Sequence, residues 1–319
     1  MADRTVGPAA MSAFFDPARA YHRHGAFAAP ALQSPELWRI VLGLTAIEAI
    51  FALAIRGFDA ALDSLAPALA IAVFEGTTPA GLMVQLASYG FLGLATAFVT
   101  ERLHRRPARS LIGARGQALR LMTRGFLGAM AFYMVVQFMP PWSDFAAIEE
   151  IRPAGPWLLA LPLALAALLV QTASEELLYR GYLQQQIAAR FAHPAIWMVV
   201  PNLIFASVHW NEGSGWADNW QYVIWAFCFG LACSDLTARA GNLGPAIGLH
   251  LANNAYAFLF FGEVGGLDSG LSLFLFPATP EMPDMAGAGA NGPILTLMLA
   301  VELFVLALAW LSARLAIRR

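Results

Sequence analysis

The sequence predicts an all-α fold, a polytopic membrane bundle of about eight transmembrane helices with both termini cytoplasmic. Three observations carry that expectation. The 319 residues are 59% apolar and only 13% charged, with a mean hydropathy of +0.60, far from the averages of soluble domains. Several stretches approach the roughly 20 apolar residues that a spanning helix needs. The 19 basic residues, every one of them Arg, collect at alternate ends of those stretches.

Taken in order, the expected spans are about 36–56, 78–100, 118–140, 156–180, 195–210, 219–238, 242–262 and 292–315. Residues 1–35 form a flexible cytoplasmic tail, rich in Ala, Pro and His, without a charged-then-apolar pattern ending in a cleavage site, so the first span reads as an uncleaved anchor. With the N-terminus inside, Arg4, Arg19, Arg23, Arg39, the run from Arg102 to Arg124, Arg180, Arg190, Arg239, Arg314, Arg318 and Arg319 all fall on the cytoplasmic side. Only Arg56 and Arg152 fall outside, and an even number of spans follows. The long loop 263–291 holds Gly, Pro and acidic residues around an apolar patch, "LSLFLFPA", expected at the interface or dipping back into the protein. One membrane domain, about 36–315, is the simplest partition, with no internal repeat.

Composition also excludes some functions. A net charge of −2 gives no footprint for nucleic acid, and topology explains the Arg-rich loop. Cys228 and Cys233 lie five apart on one expected helix and face different ways, so neither a disulfide nor a CxxC site is present.

The informative residues are the polar ones inside apolar spans, where an ionisable group costs about 2.5–3.5 kcal/mol on insertion scales. In "QTASEELLYRG", Glu176 and Arg180 are four apart and pair on one helical face. Glu175 points about 100° away without a partner in its own turn, a carboxylate placed to take up and hand on a proton. In "FASVH", Phe205 and His209 share a face; in "HLANN", His250 and Asn254 do. Glu175 and His209 each lie 17 residues from Ala192 in the turn "AHP", so an antiparallel hairpin brings them to one depth. One tension accompanies that geometry: a polar stretch follows His209 at once, whereas Glu175 lies far along its helix. Either the fourth helix is long and tilted, or the segment after His209 folds back into a protein-lined cavity. Glu48 and Asn202 are read as interhelical bonding residues, Asn202, seven residues before His209 on the same face, also expected to line the same cavity as a supporting group.

"EELLYRG", "FASVH" and "HLANN" together resemble, in order and spacing, the EExxxR, FxxxH and HxxxN motifs of the CAAX processing and bacteriocin processing (CPBP) family, also called Abi-type or type II CAAX prenyl endopeptidases. The match covers about 156–262. The resemblance implies an intramembrane glutamic endopeptidase in which Glu175 is the general base, His209 holds and polarises the water, and His250 with Asn254 stabilises the oxyanion. Glu176, Arg180 and Phe205 are then supporting residues. No cofactor is implied. The implied partners are a peptide or membrane-protein substrate, lipid-modified or not, and the bilayer itself. Three other readings stay open on the residues alone. Glu175, His209 and His250 could supply three ligands to zinc, with water as the fourth, although no HExxH is present. A non-catalytic bacteriocin-immunity or scaffold protein could keep the polar cluster for folding, and a proton-coupled transporter would also place Glu and His in mid-membrane. The Arg-only, Ala-rich composition points to the inner (plasma) membrane of a bacterium.

Overall fold

A computed structural model describes residues 20–140, 145–210, 215–278 and 292–318. The first part of the N-terminal tail, four residues of the polar stretch after His209 and the half of the long loop beyond 278 lie outside the described residues.

The chain is an integral membrane protein built almost wholly of helices. A short α1 (His22–Ala28) precedes α2 (Leu37–Leu65), α3 (Pro67–Glu75), α4 (Pro79–Ser88), α5 (Gly90–Arg102) and α6 (Arg115–Val136). Helix α7 (Ala154–Glu176) runs on through a π-helical stretch, Leu177–Gln184, into α8 (Gln185–Arg190). Then come α9 (Pro194–Ser207), α10 (Trp216–Ala240), α11 (Gly244–Phe260) and α12 (Leu297–Ile317).

Among the described residues, six helical segments are long and apolar enough to cross a membrane: α2, α4 with α5, α6, α7 through α8, α10 and α12. The expected fifth and seventh spans are shorter, 14 residues in α9 and 17 in α11, which at 1.5 Å per residue reach about 21 and 26 Å. The expected fourth span departs the other way. Ala154–Arg190 is 37 residues long, so the distance between Glu175 and its outer end reflects a long fourth helix.

The residue distribution is that of a bundle in oil. Leu159, Leu163 and Phe304 are 83%, 67% and 63% exposed, while Thr96, Thr100, Gln184, Asn202 and Asn242 are completely buried. Apolar side chains face outward because lipid accepts them; polar ones turn inward, where neighbouring helices satisfy them. Thr96 and Thr100, for example, donate to carbonyls one turn back, Leu92 O and Thr96 O.

Three short strands depart from the all-helical expectation. β1 (Glu150–Ile151) pairs antiparallel with β3 (Phe274–Phe276), which pairs parallel with β2 (Phe261–Glu263). The apolar patch of the long loop is thus part of a small sheet at the bundle's end. Leu271 and Leu275 bury themselves there, and Trp157 Nε1 donates to Leu259 O and Leu271 O.

Candidate active site

Helix α7 brings Gln171, Glu175 and Glu176 to the bundle centre, and its geometry changes just beyond them. A π-helical turn holds one residue more per hydrogen-bonded ring than an α-turn and is frequent at functional sites. Here it spans the "LLYRGYLQ" that follows the paired glutamates.

Glu176 and Arg180 make the expected pair, Arg180 Nη1 to Glu176 Oε1 at 2.8 Å, with both side chains at 0% exposure. Arg180 Nη2 also donates to Asn202 Oδ1 at 3.0 Å, and Asn202 Nδ2 donates to Ser234 Oγ at 2.8 Å. Asn202 therefore stands behind Arg180, a second layer that does not line the cavity. Helix α10 comes this close because residue 230 is Gly: a Cβ there would lie 2.4 Å from Asn202 Oδ1 and 3.0 Å from Arg180 Nη2. Phe205 packs under the guanidinium, its ring centroid 4.7 Å from Arg180 Cζ, and also contacts the His209 ring at 4.6 Å.

Glu176 does more than its pairing alone suggests. His250 Nδ1 lies 2.9 Å from its Oε1 and donates to it, which orients the imidazole so that Nε2 faces Glu175 Oε2 at 3.6 Å. The line Arg180, Glu176, His250, Glu175 thus crosses from α7 to α11 and back. A ring nitrogen held by a carboxylate fixes both tautomer and direction of the ring.

Glu175 is not wholly unpartnered. Gln171, one turn earlier on α7, donates Nε2 to Glu175 Oε1 at 2.6 Å and accepts at Oε1 from Asn254 Nδ2 at 2.9 Å. A turn of α-helix places residues four apart side by side, so the spacing of Gln171 and Glu175 makes this contact legible in the sequence. It bridges the first and third motifs. Glu175 keeps 13% side-chain exposure against 0% for Glu176, so of the two carboxylates Glu175 alone reaches open space.

That space is a cavity of about 690 Å³ lined by Glu175, His209, His250 and Asn254 together with Gln171 and Tyr222. His209 stands just past the C-terminal end of α9. Its Nδ1 lies 2.7 Å from the Phe205 carbonyl oxygen. A carbonyl only accepts, so the proton sits on Nδ1 and Nε2 is left with its lone pair. The hairpin expectation is met to this extent: Glu175 and His209 share one cavity. Asp218 and Asp268 also line it, so the cavity reaches the first turn of α10 and the loop after β2, the helix ends opposite Arg239 and Arg314. Among the described residues no group of three or more His, Cys, Asp or Glu converges to hold a metal ion. Cys228 and Cys233 are both free thiols.

Fold and cavity define the class: a helical membrane protein with an internal chamber lined by Glu175, His209, His250 and Asn254. A family model described as type II CAAX prenyl endopeptidase, Rce1-like, matches residues 156–256, the stretch that holds all three motifs read above. A protein of Bacillus subtilis (strain 168), described as uncharacterized protein YyaK, is 27% identical over 191 residues. That alignment covers 57% of this chain and 60% of the relative, so the chain spans less than two thirds of the relative's length. No solved structure matches.

Proposed function

We propose that this chain is an intramembrane endopeptidase of the CAAX-protease type, hydrolysing a peptide bond with an activated water. The observation that carries the reading is the meeting of Glu175, His209, His250 and Asn254 on one cavity while Glu176 is sealed away by Arg180. A Glu175 carboxylate facing the chamber takes a proton from water, whose remaining lone pair attacks the substrate carbonyl; His209 Nε2 accepts from the same water and orients it. The oxyanion that forms accepts hydrogen bonds from Asn254 Nδ2–H and from a proton on His250 Nε2, which stays on the ring while Nδ1–H stays on Glu176. Collapse of this intermediate breaks the C–N bond, and the proton held by Glu175 passes to the leaving amine. Glu176, Arg180, Phe205 and Gln171 hold the acting groups in place. No resident metal or cofactor enters this reading.

The bundle is read as one membrane domain, about 36–315, with its core at 156–262, in a bacterial plasma membrane. Eight segments cross it, the short α9 and α11 among them, and both termini are cytoplasmic; the Arg residues at one set of helix ends support that orientation. The cavity then opens away from the cytoplasm, towards secreted or membrane-anchored peptides.

The deciding experiment uses the purified protein in detergent and a quenched fluorescent peptide library that includes prenylated CAAX peptides, with and without a chelator. Cleavage should vanish in Glu175→Gln and His209→Ala and survive the chelator. Full activity in Glu175→Gln would remove the general base and the mechanism with it, whereas loss to chelator restored by zinc would move Glu175, His209 and His250 to metal ligands.

A further inference from the structure

Between α6, α10, α11 and α12 a side pocket of about 120 Å³ lies against the main cavity. The two share Trp225, Asn253, Ala257 and Glu302 as lining residues and so are immediate neighbours. Tyr133, Tyr256 and Trp225 wall the side pocket, and Val136, Val305 and Leu306 supply its apolar surface. The two tyrosine rings stack with centroids 5.0 Å apart, and their hydroxyls are engaged elsewhere: Tyr133 donates to Asn253 Oδ1 at 3.0 Å and Tyr256 to Gln137 Oε1.

Glu302 is the one charged group of this pocket, and it is an odd residue for its place. It sits in the second turn of α12, within the apolar run "LAVELFVL", partly buried. Among the described residues it makes no hydrogen bond or ion pair. Neither cavity is lined by an arginine, and the main cavity adds Asp218 and Asp268 to Glu175. A carboxylate in a spanning helix is costly enough to mark a functional group whose partner should be named, and no partner is found among the described residues. Aromatic faces beside a carboxylate in a partly desolvated pocket are the surroundings that a guanidinium or ammonium group prefers.

We propose that the side pocket receives a basic side chain, Arg or Lys, of the substrate polypeptide, with Glu302 as its counter-ion and the Tyr133, Tyr256 and Trp225 rings around its stem. Glu302 is then a specificity-determining residue, and the substrate class is a peptide segment carrying a positive charge close to the bond that is cut. This inference rests on the reading that the main cavity is the place of cleavage. On this proposal a substrate backbone lying along Glu175 and His250 sends one side chain past Asn253 into the side pocket, since Asn253 and Glu302 border both spaces.

The test uses the full chain in detergent and peptides identical except at one position, scanned along the sequence flanking the scissile bond, occupied by Arg, Lys, norleucine or Glu. At one position kcat/KM for Arg and Lys should exceed that for norleucine by about tenfold or more, carried mainly by KM, because a pocket built around a charge rejects the analogue lacking it. Glu302→Gln should bring that ratio to near unity, and Glu302→Arg should turn the preference towards Glu. A parent with no basic preference at any position, or a preference that survives Glu302→Gln, overturns the proposal. Loss of all cleavage in Glu175→Gln beside such a result would leave the catalytic reading intact, so the two failures are separate. Binding gives a readout without turnover. Titrated calorimetrically into Glu175→Gln protein, the Arg peptide should bind more tightly than the norleucine peptide, a difference that disappears when Glu302→Gln is added; equal affinities would refute the pocket's role.

Discussion

Arg180 is the residue on which the buried charge of the site depends. It neutralises Glu176, stacks on Phe205 and reaches Asn202, all of them buried. Breaking a buried pair from one side strands the other charge, at a cost of about 3–5 kcal/mol, whereas replacing both partners is far milder. Arg180→Met should therefore unfold in detergent at a clearly lower temperature than the parent, and the double variant Arg180→Met with Glu176→Gln should recover most of the loss. Recovery in the double variant with activity still absent would also separate folding from catalysis, since His250 would have lost its carboxylate anchor. At this scale much was legible: the i to i+4 spacing placed Glu176 against Arg180 and freed Glu175 from it. Gln171 and Glu302 were overlooked, although Gln171 lies four residues before Glu175 and Glu302 stands alone in an apolar run. The link from Glu176 to His250 was out of reach, because 74 residues separate the partners.

Helices α6 and α11 pack against each other more extensively than any other pair, and small residues make that possible. A Cβ on Gly248 would lie 2.3 Å from Met122 O and 2.8 Å from Phe126 N, contacts with backbone that cannot swing aside. Close approach of helices at small residues is the usual substitute for a hydrophobic driving force inside a bilayer. Gly248→Val should push α11 from α6, lower stability by about 1–3 kcal/mol, and displace His250 two residues on. Gly116 is the control: no atom lies within 4 Å of a Cβ built there, so Gly116→Ala should melt with the parent. Thermal unfolding followed by tryptophan fluorescence distinguishes them, and equal losses for the two variants would refute the packing argument. Element lengths were only half legible. Hydropathy marks where apolar segments lie, but the π-helical stretch that extends α7 carries side chains whose partners, Asn202 for Arg180 and Ser234 O for Gln184, come from other helices.

Over the whole molecule, two histidines at the N-terminal and Arg-rich end report on folding. His24 is buried against Trp197 with a ring separation of 4.2 Å, and His104 lies between Ser34 Oγ and Tyr182 OH, each at 2.8 Å. Burial pushes both down to about 4, with Arg106 adding to the effect at His104. A depressed histidine binds its proton in the unfolded chain first. Stability is therefore whole above the ordinary value near 6.5 and is lost as pH falls towards 4, at up to about 1.4 kcal/mol per unit for each group. Melting temperatures should hold steady from pH 8 to 7 and drop between pH 6 and 4.5, and His24→Phe should shallow that drop; a flat profile would refute the burial of both rings. By itself the sequence determined the membrane class, the place of most helices, the three motifs and the pairing of Glu176 with Arg180, because hydropathy and helical period act over short stretches of chain. Only the tertiary structure decided that Gln171 joins Glu175 to Asn254, that Glu176 aims His250, that Asn202 stands behind Arg180, and that Glu302 on the last helix closes a pocket beside the site. Those arrangements rest on contacts between helices far apart in the chain, and local periodicity carries no record of which faces meet.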